Sequence, residues 1–488
     1  MVMLPLGGRI ASSPAAAPKA APSAGKLTAR LAATRLAPVQ AGEIRLNYHF
    51  RRASSRFSYL LERNQHGRWT ALRAVALKGS FTGSHVSTVK ELFGEKPVEA
   101  GSYRLLLSSD RNQVSLRFTI FAAEPITGAT GISAGGKLTC ILVDGGGVKC
   151  WGNNFNGELG NGSMKNSSTP VLVGGIMGAI AVNSGYEHSC VVFPGGTISC
   201  WGTNFIGELG DGTLMSSPTP ISVGGLGGVV ASSSGAAHTC ALLADGSLYC
   251  WGDNEAGQLG VNSFNRRPPF GISNPTRVDA VSNAVGVSAG FINTCALISG
   301  GSIECWGYNY DGQVGNGTVN RKRPYAVPSP AHVTGITSAV SISAGAFHTC
   351  ALIAGGTVKC WGYVKAGGLL AKPLLHTSVP KQVPGIADAV SISSGGFHNC
   401  ALLADGTVKC WGANQFGQLG NGKLVDSIKP VTVIGVKHAV SISSGALHTC
   451  AVLSGGAVKC WGSNDEGELG TGSLSQSARP LTVVQPTR

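Results

Sequence analysis

The sequence predicts an all-β protein: a seven-bladed β-propeller preceded by a smaller β-sandwich domain. Glycine accounts for 71 of the 488 residues, about twice its usual share, while charged residues make up only 13%. Hydrophobic residues make up 43%, which excludes disorder by composition. All 14 cysteines lie in regularly spaced pairs after residue 139. Many short strands joined by tight, glycine-containing turns account for this composition.

The first 125 residues are basic, whereas the rest of the chain is almost neutral. The net charge is +14, and residues 1–125 contribute +11 of it through 18 Lys/Arg and 7 Asp/Glu. A basic domain attracts nucleic acid, anionic polymers or acidic proteins, but these arginines are scattered rather than clustered with aromatic residues. We therefore interpret them as a solvated strand face, with a polyanion site as the alternative.

Residues 1–26 are rich in Ala and Pro and are interpreted as a flexible leader. They lack the basic start and the long apolar segment of a secretory signal. No apolar run approaches the roughly 18 residues that span a bilayer, so we predict no membrane-spanning segment.

Residues 27–122 are predicted to form the sandwich. Apolar and polar residues alternate from Ile44 to Phe50 and from Val114 to Ile120, which is the period of a half-buried strand. The run from Gly101 to Leu106, a short loop and the Val114 strand resemble the closing hairpin of bacterial immunoglobulin-like or fibronectin-like domains. This resemblance implies an extracellular spacer or adhesion module.

The cysteines organise the rest of the chain, residues 126–488, into seven repeats. The two cysteines of each pair are ten positions apart, successive pairs are 50 or 55 residues apart, and Trp-Gly follows every second cysteine. The pairs are Cys140 and Cys150, Cys190 and Cys200, Cys240 and Cys250, Cys295 and Cys305, Cys350 and Cys360, Cys400 and Cys410, and Cys450 and Cys460. A repeat of this length indicates a propeller, because one unit cannot bury both of its faces alone.

The sixth unit shows how the cysteines are placed. Its predicted strands are Val390–Ser394, Cys400–Leu403, Thr407–Trp411 and Pro430–Val433. A three-residue loop, 404–406, joins the second strand to the third. Such a loop needs a residue in the left-handed conformation, and every unit has glycine at its third position. This loop places Cys400 directly opposite Cys410 on one face of a hairpin.

Each facing pair is predicted to form a disulfide within one blade. Facing residues of a non-hydrogen-bonded antiparallel pair have Cα atoms roughly 4.5 Å apart, a separation that a disulfide tolerates. Buried cysteines acting as small hydrophobic residues are the alternative, but they do not explain seven facing pairs. Disulfides require an oxidising compartment, so we predict export to the extracellular space, the cell surface or the periplasm.

The repeat pattern itself is specific. The text S-x-G-x-x-H-T-C-A-L-L-x-D-G-x-V-x-C-W-G-x-N-x-x-G-x-L-G-x-G runs from Ser394 to Gly422, with Asn399 in place of Thr. It resembles the regulator-of-chromosome-condensation repeat family, and the resemblance implies a seven-bladed propeller. Members include a nuclear guanine-nucleotide exchange factor, a plant ultraviolet photoreceptor and a secreted bacterial β-lactamase inhibitor, so the fold carries over but no single function does.

The sequence departs from two of these relatives. The photoreceptor's chromophore tryptophans lie two residues before the repeat histidine, and none of the corresponding residues here is tryptophan. Those residues are Tyr186, Ala236, Ala346, Gly396 and Ala446. Light sensing is therefore not expected. No loop matches an exchange-factor wedge, and paired cysteines fit poorly with a nucleus.

Three units differ in their long loops. The fifth unit has Val364–Leu370 where the sixth has the Asn-x-x-Gly-x-Leu-Gly segment Asn414–Gly420, so this loop is expected to differ in shape. The third and fourth units each carry five extra residues before the next cysteine. These insertions contain the basic residues Arg266, Arg267, Arg321, Lys322 and Arg323. Solvated loops are the more ordinary interpretation, and a partner-binding patch is the functional candidate.

Two patterns that often mark enzyme chemistry have simpler explanations here. Gly-x-Ser-x-Gly occurs at Gly131–Gly135 and Gly286–Gly290, but a nucleophile elbow needs a following helix, and other units read Ser-Ile-Ser-Ser-Gly at this place. His-x-Cys recurs in five units, which raises the alternative of zinc. These histidines are His188, His238, His348, His398 and His448. Because every cysteine already faces a partner, we predict hydrogen-bonding structural histidines.

These observations favour an exported protein, not an enzyme, that binds a protein or a cell-envelope polymer through its propeller. We predict no cofactor, no metal, no nucleic-acid partner and a monomer. An exchange factor or chromatin binder, by family analogy, and an inhibitor of a secreted hydrolase are the alternatives.

Overall fold

The computed structural model describes residues 27–31, 35–36, 45–65, 68–88, 101–109 and 112–120, and then residues 124–363 and 376–485. The predicted leader, residues 1–26, lies outside the described residues. Two compact units divide at Glu124 and Pro125.

The described N-terminal strands form one six-stranded sheet. The strands are β1 (Leu27–Leu31), β2 (Arg35–Leu36), β3 (Arg45–Gln65), β4 (Arg68–Thr88), β5 (Gly101–Ser109) and β6 (Asn112–Ile120). They pair in the order β1-β3-β5-β6-β2, with β4 on β3, and only β2 and β6 are parallel. The predicted hairpin is present, with Tyr103 opposite Phe118, and the sandwich stays a prediction.

The second unit is a seven-bladed propeller, which confirms the predicted fold class. Each blade is a four-stranded antiparallel sheet made of four consecutive strands. Blade 1 contains β7 (Ala129–Ala134), β8 (Leu138–Val143), β9 (Gly147–Gly152) and β10 (Ser167–Leu172), and blade 2 contains β11 (Ala181–Ser184), β12 (His188–Val192), β13 (Ile198–Gly202) and β14 (Ser217–Ser222). Blade 3 contains β15 (Val229–Ser234), β16 (His238–Leu243), β17 (Leu248–Asp253) and β18 (Gly271–Arg277). Blade 4 contains β19 (Ala284–Ala289), β20 (Asn293–Ile298), β21 (Ile303–Tyr308) and β22 (Ala326–His332). Blade 5 contains β23 (Ala339–Ala344), β24 (His348–Ile353), β25 (Thr357–Tyr363) and β26 (His376–Gln382). Blade 6 contains β27 (Ala389–Ser394), β28 (His398–Leu403), β29 (Val408–Gly412) and β30 (Ser427–Thr432). Blade 7 contains β31 (Ala439–Ser444), β32 (His448–Leu453), β33 (Val458–Gly462) and β34 (Ser477–Thr482).

The second and third strands of each blade form the predicted cysteine hairpin. In blade 6, Cys400 lies opposite Cys410 and Leu402 opposite Val408, as the loop length predicts. In all seven blades the paired cysteine Cα atoms are 4.1 Å apart and the sulfur atoms lie at disulfide-bonding distance. The glycine that ends the hairpin loop has φ between 74° and 87° in every blade, which is the left-handed conformation expected from the sequence.

The tryptophan that follows each cysteine pair packs on the preceding blade. Trp201 lies in one buried cluster with Cys140 and Cys150 of blade 1, and five further tryptophans pack on the preceding blade in the same way. Trp151 completes the ring by packing on the cysteine pair of blade 7. Burying one indole removes roughly 200 Å² from water, which stabilises each interface by up to about 5 kcal/mol.

A backbone carbonyl of the preceding blade accepts the indole hydrogen. Trp201 Nε1 donates to Glu158 O at 2.9 Å, and six such bonds of 2.7 to 2.9 Å occur in the described part of the ring. At five interfaces a threonine hydroxyl donates to the same carbonyl, as Thr239 does to Glu208 O at 3.0 Å. Each blade therefore satisfies the buried polar groups of the next one.

The repeat histidines also join neighbouring blades, so the structural role predicted for them is confirmed. His238 Nε2 lies 2.9 Å from the hydroxyl of Thr294 in the next blade, and three more histidines make this contact with threonine. Because Thr294 donates its own hydrogen to Gln258 O, the histidine must donate from Nε2. Its Nδ1 is then unprotonated, and burial lowers the pKa of His238 to about 3.

The two ends of the propeller differ in their connections. The turn after the first strand and the long loop after the third strand of every blade lie at one end, which we call the loop face. The cysteine hairpins and the connections between blades lie at the other end, the hairpin face. This follows from the consecutive antiparallel order of the four strands.

A ring of backbone hydrogen bonds surrounds the propeller axis at the loop face. Each turn after a first strand donates an amide hydrogen to a turn of the next blade, as Gly396 N does to Gly445 O at 3.2 Å, and Ala446 N donates to Gly135 O to complete the circle. The blades approach so closely here that a Cβ atom added to Gly395 would overlap the carbonyl oxygen of Gly445. The same overlap recurs in all seven blades, so this position requires glycine.

The ring closes without a strand shared between the two ends of the chain. All four strands of blades 1 and 7 are consecutive in sequence. The seam adds a single bridge between Pro125 and Val484 and a bond of 3.0 Å from Ile126 N to Val483 O. Trp151 then donates to Glu468 O at 2.7 Å, as at the other interfaces.

We predict that Gly395→Ala lowers the free energy of unfolding by about 3 kcal/mol, because the added methyl group would displace a carbonyl of the next blade. Gly224→Ala is the matched control, since no atom lies within 4 Å of a Cβ there and its φ is not positive. The control should leave stability unchanged or raise it slightly. Denaturant titration of both variants checks this, and equal effects would contradict the close approach.

We predict that acid destabilises the propeller through its five buried histidines. Burial lowers their folded pKa to about 3 or about 4, so the unfolded chain binds protons first and stability falls as the pH drops below 6.5. Each histidine should cost about 2 kcal/mol between pH 7 and pH 5. His238→Asn, which copies Asn293 of blade 4, should remove about one fifth of this decline. Unfolding titrations at both pH values measure it, and an unchanged decline would contradict the assignment.

Candidate functional site: the loop face of the propeller

The long loop between the third and fourth strands has the same internal support in six blades. In blade 4, Asn309 Oδ1 accepts the amide hydrogen of Val314 at 3.0 Å, and Asn309 Nδ2 donates to Thr318 O at 3.3 Å. The equivalent residues are Asn154, Asn204, Asn254, Asn414 and Asn464. These loops are thereby held by buried amides, as the turn-forming residues predicted. Most of the fifth loop, residues 364–375, lies outside the described residues.

The insertions in blades 3 and 4 have the same backbone arrangement. Asn254 N donates to Phe270 O at 3.1 Å, and Asn309 N donates to Tyr325 O at 2.7 Å. Phe270 and Tyr325 both have positive φ, 61° and 60°. The sequences of the two insertions show the same likeness, since Asn265–Phe270 and Asn320–Tyr325 both have the pattern Asn-Arg-basic-x-Pro-aromatic. The equal length of the insertions does not by itself predict this shared conformation. Two adjacent blades therefore present matching loops on one face.

The structure brings all five predicted basic residues to the exposed surface of these two loops. They are Arg266, Arg267, Arg321, Lys322 and Arg323. None lies within ion-pair distance of a carboxylate among the described residues. The guanidinium of Arg321 lies 4.3 Å from the ring centroid of Tyr310, and that of Arg266 lies 4.6 Å from the Phe264 centroid. These aromatic contacts hold Arg266 and Arg321 in place without pairing either of them with a carboxylate.

A chain of aromatic side chains continues from these loops across the loop face. Phe291, Phe347 and Phe397 belong to the turns of three successive blades, with ring centroids 6.3 and 5.5 Å apart. Tyr186 of blade 2 contacts Phe291 at 5.6 Å, and Tyr363 contacts Phe397 at 6.4 Å. We call the aromatic belt the set Tyr186, Phe291, Phe347, Phe397, Tyr363, Tyr308, Tyr310 and Tyr325.

Asp311 joins the two parts of the aromatic belt. Its Oδ1 lies 2.9 Å from Nδ1 of His376, whose ring centroid lies 5.6 Å from that of Tyr363. Asp311 directly follows Tyr310, which contacts Tyr325 at 5.6 Å. Burial raises the pKa of Asp311, while the nearby His376 and Arg321 act in the opposite direction.

Other long loops expose apolar side chains on the same face. Phe155 and Phe205, which follow the structural asparagines of blades 1 and 2, are 65% and 61% exposed. Methionine, leucine and valine side chains are exposed near several loop tips. These are Met164, Leu214, Met215, Val319, Leu424, Val425 and Leu474. They are distributed over the long loops of five blades, so they do not by themselves mark a single contact surface.

The serines of the two Gly-x-Ser-x-Gly segments have structural roles. Ser133 and Ser288 lie in first strands, where their hydroxyl oxygens accept amide hydrogens from Ser184 at 2.8 Å and from Ala344 at 2.9 Å. The next element after each serine's strand is another strand, β8 or β20, rather than the helix that a nucleophile elbow requires. Among the described residues, no group of three His, Cys, Asp or Glu side chains could hold a metal ion.

Two cavities are candidates for ligand sites. The mouth of the axis at the loop face encloses about 100 Å³ lined by Gly, Ala and Ser, whose backbone groups bond to neighbouring blades, and by Tyr186 and Phe291. A cavity of about 300 Å³ lies between blades 5 and 6, beside Tyr363, His376 and Trp411. The chain between Tyr363 and His376 lies outside the described residues, so this cavity carries no assignment.

No helix in the described part is long and apolar enough to cross a membrane.

Two models of the regulator of chromosome condensation (RCC1) repeat match the chain. One matches residues 129–158, 229–258, 389–418 and 439–468, and the other matches residues 146–192, 245–297, 301–352 and 405–452. Together they cover more than half of the chain. A 103-residue segment is 34% identical to the E3 ubiquitin-protein ligase MYCBP2 of Danio rerio. That match covers 20% of this chain and 2% of the ligase, so the chain spans only a small part of that relative.

Solved structures share the architecture at low sequence identity. Prp20p from Saccharomyces cerevisiae, described with its binding to Gsp1p and histones, is 21% identical with a TM-score of 0.59, and the match covers 72% of this chain and 86% of Prp20p. Human WBSCR16 is 20% identical with a TM-score of 0.58, and the match covers 81% of this chain and 97% of that protein. Identity this low shows a common fold. With the repeat models and the seven-bladed ring in agreement, the chain belongs to the RCC1-repeat family.

Proposed function

We propose that this protein is an exported, non-enzymatic binding protein that contacts a protein or cell-envelope partner through its loop face. The observation that carries this proposal is the pair of matching basic loops on blades 3 and 4, whose five exposed cations all lie beyond ion-pair distance of any described carboxylate. Unpaired charges held by aromatic contacts are available to a partner of opposite charge. Partly exposed aromatic rings beside these loops, such as Tyr310, add the apolar contact area that binding needs.

The proposed export rests on the seven cysteine pairs. A propeller that places every cysteine at disulfide distance from another is suited to an oxidising compartment. Each closed loop is short, so a disulfide here stabilises mainly one hairpin, on top of the packing of the next tryptophan.

An intracellular exchange factor or chromatin-binding regulator is the second candidate. It is favoured by the likeness to Prp20p, whose structure is described with binding to Gsp1p and histones. That role is carried out in a reducing compartment, where seven disulfides would not persist. An inhibitor of a secreted hydrolase, in contrast, is a special case of the first proposal, since it also acts by binding outside the cytosol.

The redox state separates these candidates. We expect the intact mass of the unreduced protein, purified with thiols blocked at lysis, to be lower than the reduced mass by 14 hydrogen atoms, two for each of the seven cysteine pairs. A Cys140→Ser and Cys150→Ser double variant controls the count and should lose two of the 14. Free thiols in the protein from its native host would overturn the export proposal.

The basic loops are tested by reversing their charge. We expect the full-length protein, immobilised with its cysteines oxidised, to retain a partner from the secreted fraction of its host. The variant Arg266→Glu, Arg321→Glu and Arg323→Glu should lose most of it, because like charges then face an acidic partner. Lys165→Glu and Lys423→Glu, on equivalent loops of blades 1 and 6, are the matched control. Equal capture by both variants would contradict the role of these loops.

A further inference from the structure

We propose that the aromatic belt and the basic loops form one docking surface for an acidic protein segment that carries apolar side chains. This inference rests on the proposed binding function and names the chemistry of the partner. It is carried by the way in which the two features meet on the loop face.

The belt and the basic loops are physically continuous. Arg321 of blade 4 lies over the ring of Tyr310, which contacts both Tyr308 and Tyr325. Asp311, next in the chain, reaches His376 of blade 5. His376 contacts Tyr363 of the same blade, which contacts Phe397 of blade 6. The ring contacts then continue through Phe347 of blade 5 and Phe291 of blade 4 to Tyr186 of blade 2. A single partner can therefore contact the basic loops and the aromatic rings together.

The belt suits apolar side chains rather than flat ligands. Phe291 is 37% exposed and Tyr310 is 36% exposed, so the rings are partly available to a partner. Their faces are largely occupied, because neighbouring rings pack at centroid distances of 5.5 to 6.4 Å and Arg321 covers one face of Tyr310. Nucleic-acid bases need open ring faces for stacking. Ring edges and the grooves between them fit aliphatic and aromatic side chains.

The charge distribution requires acidic residues at one end of the partner. Arg321, over the ring of Tyr310, joins the basic loop of blade 4 to this end of the belt, and the matching basic loop belongs to the adjacent blade 3. Of the carboxylates on these two loops, Asp311 is buried against His376 and Asp253 accepts a hydrogen bond from Gln258 at 2.6 Å. Glu255 alone is exposed, so the five cations outnumber it. The long loop of blade 7 instead contributes Glu466, which pairs with Lys137 in the first turn of blade 1. An acidic segment is therefore attracted to one side of the loop face, and this fixes its direction.

The experiment measures the binding of labelled peptides of about 12 residues to the full-length oxidised protein by fluorescence anisotropy. The first peptide alternates glutamate with leucine and phenylalanine. The second replaces every glutamate with glutamine, and the third replaces every apolar residue with serine. A single-stranded oligonucleotide and dextran sulfate report on polyanion binding. We expect the first peptide to bind at least about tenfold more tightly than each of the other four probes.

Variants locate the peptide on the surface. Phe291→Ala and the triple variant Arg266→Glu, Arg321→Glu and Arg323→Glu should each weaken the first peptide by about tenfold or more. Phe155→Ala is the matched control for the belt, since Phe155 is more exposed on the same face but lies outside it. Lys165→Glu is the control for charge. Denaturant midpoints equal to that of the parent protein show that each variant is folded.

The outcomes are distinguishable. Equal binding of the third peptide or of either polyanion would overturn the inference, because the belt would then contribute nothing. Weakening by Phe155→Ala as large as by Phe291→Ala would also overturn it. If none of the peptides binds while the basic loops still capture a partner from the secreted fraction, the acidic segment is refuted and the proposed binding function stands.

Discussion

Every blade of this propeller depends on its neighbour through one contact: the tryptophan of a blade packs on the cysteine hairpin of the blade before it. The indole supplies apolar area, and its N–H is satisfied by a carbonyl of the preceding long loop. Neither the tryptophan nor the carbonyl could be buried in an isolated blade. A Cβ atom on Gly160 of the long loop would overlap the indole of Trp201. The cysteine spacing, the Trp-Gly that follows it and this glycine are all requirements of the joint.

The sequence predicts what is local. The hairpin register in blade 6 follows from the length of one loop, because a three-residue connection fixes which residues face each other. The four strands of that blade were placed within three residues of their observed ends. The left-handed glycine of each hairpin loop was also predictable, since no other residue adopts that conformation at so little cost.

The sequence of one repeat does not predict which residues of neighbouring repeats contact each other. The hydrogen bond between His238 and Thr294 depends on how neighbouring sheets are rotated. The same rotation lets one tryptophan and one threonine donate to a single carbonyl of the preceding blade. The aromatic belt is the clearest case. Phe291, Phe347 and Phe397 occupy turn positions that differ by one residue between units, and they meet only because three blades converge at the axis. The five basic residues were identified from the sequence, yet their matching support by Asn254 and Asn309 was not.

The seam between blades 7 and 1 has one further consequence. It uses the same indole, threonine and glycine contacts as the other joints, and adds the Pro125 and Val484 bridge and the bond from Ile126 N to Val483 O. The ring thus has no structural first blade: the covalent order of the repeats is one of seven equivalent ways to cut the circle. A circularly permuted chain that starts at any connection of the hairpin face, with the old ends linked, would encode the same set of joints.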